Sequence, residues 1–256
     1  MKKRSEKNEG GERQMDEIIQ TIREELERLA DPTVREREQR FFKEPVELYG
    51  VKANLVTKIA NATWKRVKAY DKPEIFAICE ELYSSGKLEE ASIASKWGQG
   101  FDAFTEKRDM ERYLSWIHQY VTNWATCDGL CNHAVGDILM KYPELVAHMY
   151  ELAKSENRWA RRAGAVSLIL PARKGYFEKE AFEICDILLH DPEDLVQKGY
   201  GWLLKEVSRL HGREVLDYVQ KRKRTMPRTA LRYAIELMPE ADRKAAMAKE
   251  PVEKSR

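Results

Sequence analysis

The sequence predicts an all-α chain, and three observations carry that prediction. Apolar residues recur at helical spacing along nearly the whole length, with no convincing alternating strand. Proline, glycine and Asp-Pro punctuation divides these stretches into short helices. A hydrophobic content of 43% beside 34% charged residues suits amphipathic helices with one buried and one solvated face.

In chain order, Ile18, Ile19, Ile22, Leu26 and Leu29 mark a first helix that Asp31-Pro32 ends. Ile75, Ile78, Cys79 and Leu82 mark another, stopped near Ser84-Ser85-Gly86. Further helical stretches follow at Met110–Tyr120, His133–Lys141, Pro143–Ala153, Trp159–Leu170, Lys179–Leu189, Leu195–Leu210, Arg213–Arg222 and Thr229–Met238. Tyr142-Pro143, Pro171, Asp191-Pro192 and Met226-Pro227 supply the punctuation. The polar residues 1–14 are expected to form a disordered tail, 15–240 a single domain, and 241–256 a polar C-terminal tail.

The helices are short, paired and weakly self-similar. Ala160–Val166 (ARRAGAV) lies over Val196–Trp202 (VQKGYGW) with a shift of 36 residues, and Arg228–Ala234 is a looser echo. Each copy places a basic residue beside small residues that let helices approach closely. A period in the high thirties carried by helix pairs predicts a HEAT-like α-α superhelix, a solenoid with a concave face.

Composition excludes several classes. No apolar run approaches the roughly 20 residues needed to span a bilayer, and the N-terminus lacks the apolar stretch of a signal peptide. Four cysteines in 256 residues make no disulfide framework; reduced thiols in a cytoplasmic protein are the simpler reading. GxGxxG, P-loop, HExxH and GxSxG motifs are absent. Net charge is only +2, yet Ser155 to Met238 holds 16 Lys and Arg against 12 Asp and Glu. Their recurrence suits either a basic concave face that tracks phosphates or a solvated surface with acids nearby.

Candidate chemistry concentrates in Val121–Leu145. Trp124 and Asp128 are four apart, so on a helix they share a face. An indole beside a carboxylate suits a cationic ligand; the alternative is a buried Trp next to a helix-capping Asp. Gly129 supports the second, because glycine weakens a helix interior. The Cys127-x3-Cys131-x-His133 cluster lacks the four-ligand set of a zinc site, and buried thiols are expected instead. Trp159 reads as core, whereas Trp202 follows the glycines of KGYGW, where a ligand or another backbone can approach.

Taken together, VTNW…D…GDILMKYPEL (121–145), SENRWARRA (155–163), VQKGYGWLLKE (196–206) and RFFKEPVELYGVK (40–52) resemble, in order and spacing, the AlkD family of DNA alkylation repair glycosylases. The similarity covers roughly residues 30–238. It implies a HEAT-like groove that binds duplex DNA and removes cationic N3- or N7-alkylated purines, without metal or organic cofactor. By position, Asp128 matches the catalytic carboxylate, and Trp124 and Trp202 match the aromatic residues flanking the lesion nucleotide. Arg162 matches a backbone-binding arginine, Lys205 stands where an arginine is familiar, and Phe41 where a tyrosine contacts DNA. Lys43, Arg161 and Lys198 complete the expected DNA-binding set, while Ala125 and Cys127 depart from the familiar motif. The expected partner is alkylated double-stranded DNA, bound by a monomer. A non-catalytic DNA-binding relative and a protein-interaction scaffold are the alternatives.

Overall fold

The structure, a computed structural model, describes residues 2–248, with side chains from residue 14 onward. Every regular element among the described residues is helical. The chain divides into two compact units, one ending at Leu130 and the other starting at Cys131, where the sequence reads as one domain.

The first unit contains α1 (Lys2–Leu29), α2 (Pro32–Gln39), α3 (Ala53–Val67), α4 (Lys72–Ser84), α5 (Leu88–Gly98), α6 (Asp109–Tyr120) and α7 (Trp124–Leu130). The helical backbone of α1 thus runs through residues expected to be a disordered tail. Sequence periodicity located the end of α1 and the body of α4 and α6, but named no helix at α2, α3 or α5. The Asp31-Pro32 break also starts α2: Asp31 Oδ1 accepts from the Thr33 N–H at 2.8 Å, and Pro32 occupies the first turn, where no N–H is needed.

An aromatic cluster fills this unit. Phe76 meets Tyr113 and Trp116 edge-on, both at an interplanar angle of 86° and within 6.1 Å. Trp97 is buried and donates its indole N–H to the Ala60 carbonyl at 2.8 Å, tying α5 to α3. The start of α5 carries two buried acids that periodicity does not explain. Glu90 accepts from Arg23 and from the Tyr49 hydroxyl, 2.7 Å away. Glu89, 5% exposed, accepts from the backbone N–H groups of Tyr49, Gly50 and Val51 at 2.8–3.0 Å. These bonds hold the segment between α2 and α3. Its sharp turn needs Gly50, whose φ is +93° and whose missing Cβ would fall 2.6 Å from the Asp31 carbonyl oxygen.

The second unit opens with a π-helical turn, Cys131–Val135, followed by α8 (Gly136–Lys141), α9 (Ala147–Ala153), α10 (Arg158–Val166), α11 (Ile169–Arg173), α12 (Glu178–Leu188), α13 (Asp194–Val207), α14 (Gly212–Arg222), α15 (Arg228–Ala234) and α16 (Glu240–Met247). The single helix expected over Trp159–Leu170 is therefore split. Pro171 cannot extend a helix from α10 but fits the first turn of α11. The pairs α9–α10, α12–α13 and α14–α15 stack in register: α13 lies against both α10 and α15, and α12 against α9. This is the solenoid-like stacking that the 36-residue echo predicts, and the echoed segments are α10 and α13. Residues 240–247 form α16, which packs on α14 and buries Ala246, where a polar tail was expected from 241. The rest of that tail, 249–256, lies outside the described residues.

Glycine permits two of these contacts. A Cβ at Gly164 would meet the Met149 carbonyl oxygen at 2.9 Å, and one at Gly201 would meet the Ala230 carbonyl oxygen at 2.7 Å. Backbone cannot move aside cheaply, so Gly201→Ala is expected to destabilise the fold by about 1–3 kcal/mol despite the better helix propensity of alanine. Urea denaturation reads this directly; an unchanged or raised midpoint would show that α13 and α15 have room to separate.

Candidate functional site

In the first unit, α7 is positioned by Asn123. Its buried side chain accepts from the Thr126 N–H at 2.9 Å and donates to the Thr126 hydroxyl at 3.1 Å. This is an N-cap, so Trp124 is the first helical residue and Asp128 sits one turn further on. Capping therefore belongs to Asn123, and the reading of Asp128 as the cap does not hold. Neither Trp124 nor Asp128 is a core residue; both are half-buried. Gly129 has a packing role, because a Cβ there would fall 2.7 Å from Ser95 Oγ on α5.

Trp124 is steadied by residues more than eighty positions earlier. Phe42 stacks on its indole with centroids 5.3 Å apart and an 18° interplanar angle, and the indole N–H points to the Phe41 carbonyl at 3.4 Å. One indole face is thus covered. Phe41 itself is 65% exposed, and Lys43 is exposed beside it. Both sit on the segment that Glu89 fastens to α5.

The second unit holds Arg161, Arg162, Lys198, Trp202 and Lys205. Arg162 is buried on α10 and donates from Nη1 to the Leu195 carbonyl at the start of α13. Its side chain crosses α13 at Gly199, where a Cβ would come within 3.4 Å of Arg162 Cγ. Arg161 is committed to the fold: it grips Asp191 through Nε (2.5 Å) and Nη2 (3.3 Å), and donates to the Ser155 and Glu156 carbonyls. Lys198 pairs with Asp194 one turn earlier on α13 at 3.4 Å. Lys205 reaches Glu236 at 3.2 Å and lies 5.9 Å from the centre of the Tyr233 ring. Trp159 is buried, with the Arg158 guanidinium 4.7 Å from its ring centre, as the core reading expects.

Trp202 is half-buried, and its indole N–H points to Glu206 Oε1 at 3.3 Å, one turn along α13. Glu206 is 2% exposed, and its other oxygen accepts from Arg173 Nε at 2.8 Å and Arg209 Nε at 2.5 Å. Burial opposes the charge, but the two guanidinium groups outweigh it and hold the carboxyl below its ordinary value. A depressed folded-state value stabilises the fold above the unfolded value, about 4.3, and that contribution is lost as pH falls through the lower folded one. Acid titration of Tm is therefore expected to drop more steeply for wild type than for Glu206→Gln; parallel curves would mean that the carboxylate charge contributes nothing.

Sequence reasoning missed Phe42, Asn123, Glu206 and both arginines on it. The Asn123-x2-Thr126 spacing was a readable cap signal, whereas the contacts of Phe42 and Arg173 had none. The four cysteines are free and buried, and burial pushes the Cys79 and Cys185 thiols up. Among the described residues no group of three His, Cys, Asp or Glu is placed to hold a metal ion, and no helix is long and apolar enough to cross a membrane.

A solved structure described as a predicted DNA alkylation repair enzyme from Enterococcus faecalis superposes with a TM-score of 0.73 at 14% identity, covering 82% of this chain and 97% of that one. That likeness concerns the fold. No curated protein sequence matches. The family model for DNA alkylation repair enzymes matches residues 22–238. That span is most of the sequence, and the chain belongs to the DNA alkylation repair enzyme family.

Proposed function

We propose that the protein is a DNA glycosylase that hydrolyses the N-glycosidic bond of cationic alkylated purines, 3-methyladenine and 7-methylguanine, in duplex DNA, as the first step of base excision repair. The observation that carries this reading is the pair on α7: a half-buried carboxylate, Asp128, one turn from a half-exposed indole, Trp124, on a helix whose cap is supplied by another residue.

The chemistry fits such a pair. N3- or N7-alkylation puts a positive charge on the purine, so the base leaves with the bonding electrons as a neutral molecule and needs no proton from a general acid. The sugar becomes oxocarbenium-like, and a fixed carboxylate aimed at that developing charge is worth several kcal/mol where water is excluded. Water then adds its oxygen to C1′, and Asp128 takes the released proton before passing it to solvent. Trp124, with one face covered by Phe42, has its other face for the cationic nucleotide. By their match to the family motif we assign Trp202 to the lesion nucleotide, and Phe41, Lys43, Arg161, Arg162, Lys198 and Lys205 to the DNA backbone; Arg161 is already bound to Asp191 and Arg162 to the Leu195 carbonyl. Catalysis by a monomer in the cytoplasm, on nucleoid DNA and without cofactor, belongs to the same proposal. Release of free 7-methylguanine from methylated duplex by the purified protein tests it. Salt-sensitive duplex binding with no release would leave a non-catalytic DNA-binding protein, and no binding at low salt a scaffold.

A further inference from the structure

The Glu206 cluster has a surplus that holding Trp202 does not explain. One arginine is enough to neutralise a buried carboxylate, yet Arg173 from the end of α11 and Arg209 from the turn after α13 both place Nε on the same oxygen, Oε2. Two guanidinium groups against one carboxylate leave a net positive charge. Both side chains are nearly half exposed, 46% and 43%, although the acid between them is buried. Each contact uses Nε, so each guanidinium keeps the four N–H groups of its two Nη atoms. Their bases are locked on Glu206, while close to half of each side chain stays exposed.

We propose that Arg173 and Arg209, fixed by Glu206, form a clamp for one backbone phosphate of duplex DNA. A phosphodiester offers two non-bridging oxygens and a full negative charge, which suits paired planar forks and offsets the surplus charge. The third bond of Glu206, from the Trp202 indole, links the clamp to the residue assigned to the lesion nucleotide. If Trp202 meets the lesion nucleotide as proposed, a phosphate held there lies on the same strand. Glu206 is a positioning residue for both.

The test is binding of an unmodified duplex, followed by fluorescence anisotropy over a salt series. Arg209→Gln is expected to make the slope of log affinity against log salt shallower by about 1, and Arg173→Gln/Arg209→Gln by about 2, with affinity falling about tenfold or more in the double variant. The reference is Arg213→Gln on α14, where Arg213 is 80% exposed and paired only with Asp217 among the described residues; its slope is expected to stay at the wild-type value. An unchanged slope in Arg209→Gln, or an equal loss in Arg213→Gln, overturns the clamp in favour of diffuse charge. If the double variant does not fold, Arg209→Gln decides alone, since Arg173 still satisfies Glu206. Base release with unaltered slopes would defeat the clamp and leave the glycosylase reading standing. Altered slopes without base release would do the reverse.

Discussion

Asp128→Asn is expected to lower the single-turnover rate of 7-methylguanine release by about 10²–10³-fold while leaving duplex affinity unchanged or slightly tighter. The substitution preserves shape, removes the charge and turns one acceptor oxygen into an amide donor. Because Asn123 caps α7, the first turn of the helix keeps its acceptor in the variant, and the fold is expected to survive. A negative charge near DNA works against ground-state binding, so its removal cannot weaken phosphate contacts. In the proposed reaction its contribution lies in the transition state, where positive charge moves from the purine to the sugar. A variant that keeps its rate would mean the carboxylate does not face the developing charge. A variant that loses affinity in parallel with rate would assign it a structural role.

Glu89→Ala is expected to cost about 4 kcal/mol of stability, a large share of the 5–15 kcal/mol typical of a folded protein. The loss has a definite source. Three backbone N–H groups, those of Tyr49, Gly50 and Val51, converge on this carboxylate, and alanine leaves them without an acceptor. Each orphaned buried donor costs about 1–3 kcal/mol, reduced where relaxation lets water in. Glu89→Gln keeps one acceptor oxygen and is expected to cost about half as much. Guanidinium denaturation measures both, and losses within about 1 kcal/mol would show that the turn closes without this acid. The effect reaches the site because the same segment carries Phe41 and Phe42, and Phe42 stacks on Trp124.

What was legible in the sequence and what was not follow from the physics of each feature. Helices and their pairing leave periodic marks: apolar residues at helical spacing, prolines at breaks, and small residues recurring 36 positions apart where α10 and α13 pack. The spacing of Trp124 and Asp128 was legible for the same reason. Features joined across long stretches of chain leave no such mark. Nothing local announces that Phe42 covers Trp124, that Glu89 caps a turn forty residues earlier, or that Arg173 reaches Glu206. The bond of Arg161, expected among the phosphate contacts, to Asp191 is unmarked for the same reason, since that partner lies thirty residues away. Basic residues look alike in sequence, and only their partners separate those that hold the fold from those that face solvent.

In the proposed reaction the positive charge of the damaged base drives its own departure, with Asp128 stabilising the sugar. The most direct measurement places 7-methylguanine, which is cationic, and O6-methylguanine, which is neutral, at the same position of one duplex and follows free base released by the wild-type protein. Release of the first and retention of the second is the predicted result; no release of 7-methylguanine, or equal rates from both duplexes, would contradict it.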